Sequence, residues 1–425
     1  MKIILTLLSC FSFLFSTAQN IDHIFNVQEV ERIETILSSD KMQGRKAFTS
    51  SIDSAANFIS SEFEKTDLKY FDGLTSYLQP FSMFKATLIS ASGNMDGRSI
   101  DTNHIIAITT SEGLKFDEKD GYTTIAIDSG ANLFREAYDV LKENKKYLVL
   151  VNNSHSKNFS RLKMFNRESF STRAPVVFVL TDEKPNTYHF EIKNKITSSS
   201  LANVVGVLPG KSKKNEVVIF SAHYDHLGIG QPDERGDSIY NGANDDASGT
   251  TAVLMLAKYF SKVNNNERTL LFVTFTAEEI GGFGSQYFSK QINPDSTVAM
   301  FNIEMIGTES KWGSNSAYIT GYDKSDFGKI LQANLEGSDF HFEPDPYPQQ
   351  NLFYRSDNAT LAALGVPAHT ISTSKMDDEP NYHKQSDEIA MLDLKNMAEV
   401  IKAIVISSKT IISGKDTPGR VKADR

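Results

Sequence analysis

Five short segments between His223 and His383 place histidines or carboxylates next to apolar runs. The first, Ser221-Ala222-His223-Tyr224-Asp225-His226, follows the run 217–220. A metal-binding histidine usually gives its second ring N–H to a carboxylate, which fixes the tautomer. His223 with Asp225 behind it suits that pairing, although a lone His-x-Asp is also an ordinary surface loop. The second segment is Asn241-Gly242-Ala243-Asn244-Asp245-Asp246-Ala247-Ser248-Gly249. It reads partly as a helix cap, with Ser248 the expected capping residue. Two acids exceed what a cap needs, so at least one aspartate is free for a metal. In the third, the run 269–275 ends in Thr276-Ala277-Glu278-Glu279. Adjacent carboxylates beside an apolar strand are costly unless something uses them. Coordination by one and proton transfer by the other would do so. The fourth ends the run 297–303 on Glu304, before Met305-Ile306-Gly307. The fifth is Asn381-Tyr382-His383-Lys384-Gln385-Ser386-Asp387. Each has a bland explanation alone; the set does not arise easily by chance.

Such residues need a frame that brings strand ends together. From Ala202 onward, buried-strand runs at 203–208, 217–220, 269–275, 297–303, 317–320 and 368–372 alternate with helical stretches. In 248–262, Val253, Leu256, Ala257 and Phe260 share one helix face, and a last helix is expected over 392–406. Such alternation predicts a largely parallel sheet covered on both faces, with functional residues beyond the strands' C-terminal ends. The tail from Gly414 is polar and expected to be loose. Before the sheet, Val30, Ile33 and Leu37 line one helix, and Ile52, Ala55, Ala56, Ile59 and Phe63 line another. Met42-Gln43-Gly44-Arg45 lies between them. From about 87 to 200, strand-like runs at 104–109, 122–127, 147–151 and 174–180 alternate with polar, turn-rich stretches. This middle region reads as a mostly β insertion.

The chain has 425 residues, 40% hydrophobic and 23% charged, which suits a globular protein of two domains. Its net charge of -9 argues against nucleic-acid binding, which needs a clustered basic face. Met1-Lys2, an apolar run over 3–15 and Ser16-Thr17-Ala18 form the pattern of a cleaved signal peptide, and hence of export to the periplasm or medium. No later run is long enough to span a bilayer, so no transmembrane anchor is expected after signal removal. Cys10 is the only cysteine and leaves with the signal; lipid attachment at Cys10 is a minor alternative. Any transition metal is then bound by His, Asp and Glu.

In this order, AHYDH, GANDDASG, TAEE, NIEMIG and NYHKQSDE resemble the di-zinc exopeptidases that include the secreted bacterial leucyl aminopeptidases and aminopeptidase Y. Glutamate carboxypeptidase II and the glutaminyl cyclases are more distant relatives. The resemblance covers 202–406 and extends weakly to Met42-Gln43-Gly44-Arg45. It implies a three-layer α/β/α fold around a mixed, mostly parallel sheet, plus a mostly β inserted domain. The boundaries expected are a signal at 1–19, an N-terminal part of the catalytic domain at 20–86, a protease-associated-like insert at 87–200, the catalytic domain at 201–412 and a polar tail at 413–425. His223, Asp245, Glu279, Glu304 and His383 match the ligands of two zinc ions, with Asp245 bridging. Glu278 matches the general base and Asp225 the partner of His223. Tyr382 and Arg355 match positions that contact substrate or the tetrahedral intermediate. Relatives hold the bridging aspartate with a cis bond to the next residue, here Asp245–Asp246. Three departures stand out: Glu304 where relatives usually carry Asp, Asn358 where a His often follows Ser-Asp, and a middle region that matches the protease-associated domain only loosely. The expectation is an exported zinc aminopeptidase acting on peptides. The alternatives are a carboxypeptidase or dipeptidase on the same site, a glutaminyl cyclase, and a non-catalytic receptor-like binding protein.

Overall fold

Backbone polar groups buried between helices must pair with one another, so the apolar runs of the chain's second half become strands of one sheet. In the computed structural model, which describes residues 24–422, these strands belong to a unit formed by residues up to Pro80 and from Leu201 on. The expected signal segment and Cys10 lie outside the described residues. The strands are β1 (Tyr188–Leu208, through its last residues), β2 (Lys213–His223), β3 (Arg268–Phe275), β4 (Thr297–Ile303), β5 (Ser316–Ile319), β6 (His341–Pro344) and β7 (Ala368–Ser372). Side by side they run β6-β5-β7-β4-β2-β3-β1. The four central strands β7, β4, β2 and β3 are parallel, with Phe220 opposite both Phe272 and Phe301. β1 and β5 run antiparallel to their inner neighbours, β3 and β7, so the sheet is mixed.

Alternation along β2 shows why both faces need helices. Ile219 packs with Leu271, Val273 and Met300 on one face, together with Phe288, Leu361 and Ala362. Phe220 points the other way, 5.5 Å from Phe260 and 4.9 Å from Phe301 between ring centroids. The helices of this unit include α1 (Val27–Leu37), α2 (Ser50–Glu64), α3 (Ser248–Val263), α4 (Phe283–Ser289) and α5 (Leu394–Ile412). Val30, Ile33 and Leu37 are buried on α1, and Ile52, Ala55, Ala56, Ile59 and Phe63 on α2, as their periodicity predicts. The expected loose tail is a correction. Val421 is buried against the core, its N–H reaches the Gly365 carbonyl at 3.1 Å, and the Asp416 carbonyl accepts from buried Arg268 at 2.7 Å. A buried guanidinium needs acceptors, and the tail provides them.

The second unit spans Phe81–Ser200. Its four-stranded sheet joins Ile105–Ile108, Val176–Leu180, Tyr147–Val151 and Thr123–Ile127 in that order, the last two pairings being parallel. Val149 and Val151 face one apolar cluster while Leu148 and Leu150 face another, so this sheet too is buried on both sides. Sequence patterning left out several elements here, among them the strand Gly113–Asp117 and one helix. Leu133–Lys142 is a helix capped by Asn132, and its Leu133, Ala137 and Val140 cover the first cluster.

Candidate metal centre

The central strands end on one side, and the chemistry-bearing residues follow there. β2 ends on His223, β3 leads into Glu278 and Glu279, β4 into Glu304, and the chain beyond β7 returns with Tyr382 and His383. Asp245 enters from the loop before α3. His223 Nε2 lies 3.3 Å from Asp245 Oδ1, and His383 Nε2 lies 3.3 Å from Asp245 Oδ2 and 3.2 Å from Glu279 Oε2. His226, which the sequence reading left without a role, is buried with Nδ1 2.7 Å from Glu279 Oε1 and 3.9 Å from Asp245 Oδ2. Two triads have donor atoms within 4.8 Å of one another: His223, Asp245 and Glu304, and His226, Asp245 and Glu279. They share Asp245. Buried His223 Nε2, His226 Nε2 and Glu304 Oε2 have no hydrogen-bond partner. Native interiors rarely leave such atoms unsatisfied. Imidazole and carboxylate donors without thiolate fit zinc in an open, catalytic-type site.

The surrounding loops are held by acids that stay out of this cluster. Asp387 accepts from the N–H groups of Asn244 (2.8 Å) and Asp245 (3.0 Å). Asp246, joined to Asp245 by a cis peptide bond, accepts from the N–H groups of His223 (3.2 Å), Gly249 (3.0 Å) and Met305 (3.0 Å). Adjacent acids therefore divide: Asp245 faces the histidines and Asp246 ties three segments together. Ser248 is not the cap expected of it. The loop makes one wide helical turn over Ala243–Ala247, so Ser248 begins α3; its hydroxyl donates to the Asn244 carbonyl, and the Asp246 carboxylate accepts from the buried N–H of Gly249.

Asp225 also differs from expectation. Its carboxylate accepts from the Glu278 N–H (3.0 Å) and the Glu279 N–H (3.3 Å) and stands 3.8 Å from His223 Nδ1. His223 Nδ1 instead meets the Asp225 carbonyl at 3.1 Å. The carboxylate satisfies two backbone donors that the turn after β3 leaves open. Ala277, Met305 and His383 all have positive φ, beside or at Glu278, Glu304 and the returning loop. Left-handed backbone at non-glycine residues is strained and gathers at functional sites.

The electrostatics favour a cation. Burial pushes the Glu278, Glu304 and Asp246 carboxyls above their usual range. It also pushes Asp225 up to about 6, Asp387 up to about 6 and Asp357 up to about 7. Asp245 goes the other way: burial raises it, but the neighbouring His223, His383 and His226 imidazoles outweigh that. The Asp245 and Glu279 carboxylates in turn raise His383 to about 10. Carboxylates so crowded cannot all ionise without positive charge nearby.

Tyr382 and Arg355 line a cavity beside Glu304, which Tyr318, Ser372 and Met376 also line. The Tyr382 ring stacks on His383, with centroids 3.9 Å apart. Arg355 is exposed and donates to Gln350 Oε1 at 3.4 Å. Asn358, in the place of the frequent histidine, donates to the Phe353 carbonyl at 2.9 Å and the Ala368 carbonyl at 3.1 Å. It thereby braces the start of β7. His226 and Asp387 lie within the quoted motifs but carried no local sign of their roles.

Comparison with known proteins gives a family match over part of the chain. Residues 203–407 match the model of peptidase family M28. Aminopeptidase YwaD of Bacillus subtilis is 28% identical over 133 residues, which is 30% of this chain and 26% of that protein. A vacuolar membrane protease of Schizosaccharomyces pombe is 27% identical over 193 residues, 44% of this chain and 21% of that protein. The chain thus spans about a quarter of the length of these curated relatives. Among solved structures, a zinc aminopeptidase from Bacillus subtilis aligns with a TM-score of 0.56 at 19% identity, covering 94% of this chain and 99% of that one. An aminopeptidase from Aneurinibacillus sp. strain AM-1 aligns with a TM-score of 0.55 at 17% identity, covering 96% and 98%. At those identities the likeness establishes the shared fold.

Proposed function

With residues 203–407 matching peptidase family M28, we propose that this chain is a zinc-dependent aminopeptidase that removes N-terminal residues from peptides. The observation that carries this reading is the pair of donor triads meeting at Asp245. His223, Asp245 and Glu304 would hold one zinc ion, and Asp245 and Glu279 the other together with His383, which lies 3.3 and 3.2 Å from them; His226 of the second triad stands beside Glu279. Zinc bound there would act as a Lewis acid on the scissile carbonyl and acidify water at neutral pH. Glu278, whose affinity for a proton burial has raised, takes the proton of the attacking water and delivers it to the departing amine. The Tyr382 hydroxyl donates to the oxygen that gains charge as the carbonyl becomes tetrahedral. Carboxylates beside the metals attract the substrate's α-ammonium, and Glu304, longer by a methylene than the usual aspartate, reaches toward it.

Assay of the zinc-loaded protein tests the direction of cleavage. An aminoacyl anilide with a free amine is expected to be cut, and N-acetylation to abolish cutting. Cleavage of N-acetyl peptides from the C-terminal end, with free-amine anilides ignored, would replace this reading with a carboxypeptidase in which Arg355 receives the terminal carboxylate. Export belongs to the same proposal. Its support is the sequence of residues 1–19. N-terminal sequencing of exported protein should begin near Gln19; an acylated Cys10 at the terminus would refute the cleavage site.

A further inference from the structure

The loop between α1 and α2 reaches toward the metal centre with the side chain of Arg45, which is fully buried. Its Nε donates to the Tyr224 carbonyl at 2.8 Å. Nη1 donates to the Leu37 and Asn241 carbonyls at 2.7 and 2.6 Å, and Nη2 to the Gly242 carbonyl at 2.8 Å. Tyr224 directly follows His223, while Asn241 and Gly242 begin the loop that carries Asp245. One planar fork therefore spans the two loops that bring a histidine and the shared aspartate together.

The surrounding backbone is shaped to keep the fork there. The His226 N–H donates to the Arg45 carbonyl at 3.3 Å, and Asn241 Nδ2 donates to the Ser38 carbonyl at 2.8 Å and to Asp40 Oδ1 at 3.0 Å. Gly44, at φ +65, passes so close that a Cβ would lie 2.3 Å from the Tyr240 carbonyl oxygen. Burying a guanidinium is expensive, and apolar side chains would fill the same space at lower cost. They could not fix the separation of the loop carbonyls, nor place a positive charge among Glu34, Asp387, Asp225 and Asp245, all of which act on Arg45.

We infer that Arg45 is a positioning residue of the metal centre: by bridging the carbonyls of Tyr224, Asn241 and Gly242 it holds His223 and Asp245 at the separation their shared cation requires. The inference rests on the metal-centre reading above and extends it to a residue outside the segment that matches the family. Lysine keeps the charge but cannot span these carbonyls with a rigid fork.

The test is zinc affinity of the full chain, measured by competition with a chromophoric chelator, alongside the melting temperature. Arg45→Lys should weaken zinc binding by roughly 10- to 100-fold, the usual effect of removing a group that orients ligands. Arg268→Lys is the control: Arg268 is equally buried but bonds Glu216 and the Ile411 and Asp416 carbonyls. It should lower the melting temperature and leave zinc affinity unchanged. Should Arg45→Lys fail to fold, Asn241→Ala decides, because it cuts the same loop free of Ser38 and Asp40 and should also weaken zinc binding. Wild-type affinity in folded Arg45→Lys, or in Asn241→Ala when Arg45→Lys does not fold, overturns the inference. So does an equal loss in Arg268→Lys. A wild-type protein that binds no zinc overturns the metal-centre reading itself, and this inference with it.

Discussion

Glu278 and Glu279 are neighbours in sequence with different surroundings. Glu279 touches His226 and His383, whereas Glu278 has its N–H on Asp225 and its carboxyl buried near Glu304 and Asp357. A ligand and a proton carrier need those different settings, because a ligand must stay ionised and a shuttle must hold a proton part of the time. Glu278→Gln is therefore expected to lose turnover by about 100-fold or more while retaining two zinc ions per chain. Asp245→Asn should lose metal instead. Metal analysis separates the two outcomes, and zinc loss in Glu278→Gln would mean that the roles of Glu278 and Glu279 are exchanged. The sequence showed that two carboxylates met at the end of β3. Which one turns toward the histidines depends on the left-handed backbone at Ala277, which no spacing rule announces.

Among the elements, α1 shows what one buried acid does to a helix contact. Glu34 lies on the apolar face of α1, fully buried; its Oε2 accepts from the Thr251 hydroxyl of α3 at 2.8 Å, and its Oε1 has no partner. Burial pushes this carboxyl from 4.5 up to about 8. The folded chain thus keeps the proton until about pH 8, while the unfolded chain releases it near 4.5. Between those values unfolding releases a proton, so this group's contribution to stability falls as pH rises, by about 1.4 kcal/mol per pH unit. Glu34→Gln removes that dependence. Denaturant titrations should show the variant gaining on the wild type steadily from about pH 5 to about pH 8; a gap that stays constant across this range would refute the shift. The 3.6-residue period located α1 correctly but gave no reason to expect an acid within its buried stripe.

At the scale of the whole molecule, the carboxylate-rich cluster lies beyond the C-terminal ends of four parallel strands, with Asp245 buried and His383 partly exposed. Cations that bind the folded chain and not the unfolded one stabilise it by mass action, by about 2.7 kcal/mol when free zinc is about one hundred times the dissociation constant. Chelation should accordingly lower the melting temperature, and added zinc should restore it. Unchanged melting after verified metal removal would mean that the cluster does not hold its cation in the folded state alone.

Apolar runs ending in His or Glu, α1 and α2 read from their periodicity, and five motifs in a distinctive order were legible from the sequence, because strand burial and helix faces are local patterns of period 2 and 3.6. The same patterns failed where local signals were weak or overruled. They left out Leu133–Lys142, although Leu133, Phe134, Ala137, Val140 and Leu141 pack on one core cluster, and misjudged the tail, which Arg268 and the core anchor from far away in sequence. Only the tertiary structure decided that Asp245 and not Asp246 faces the histidines, that His226 meets Glu279, that Asp387 holds the Asp245 loop, and that Arg45 spans two loops nearly 200 positions further along the chain. Those outcomes depend on the direction each side chain takes once distant loops have met. That direction is set by backbone hydrogen bonds across the fold and by a few left-handed residues, neither of which leaves a periodic trace in the sequence.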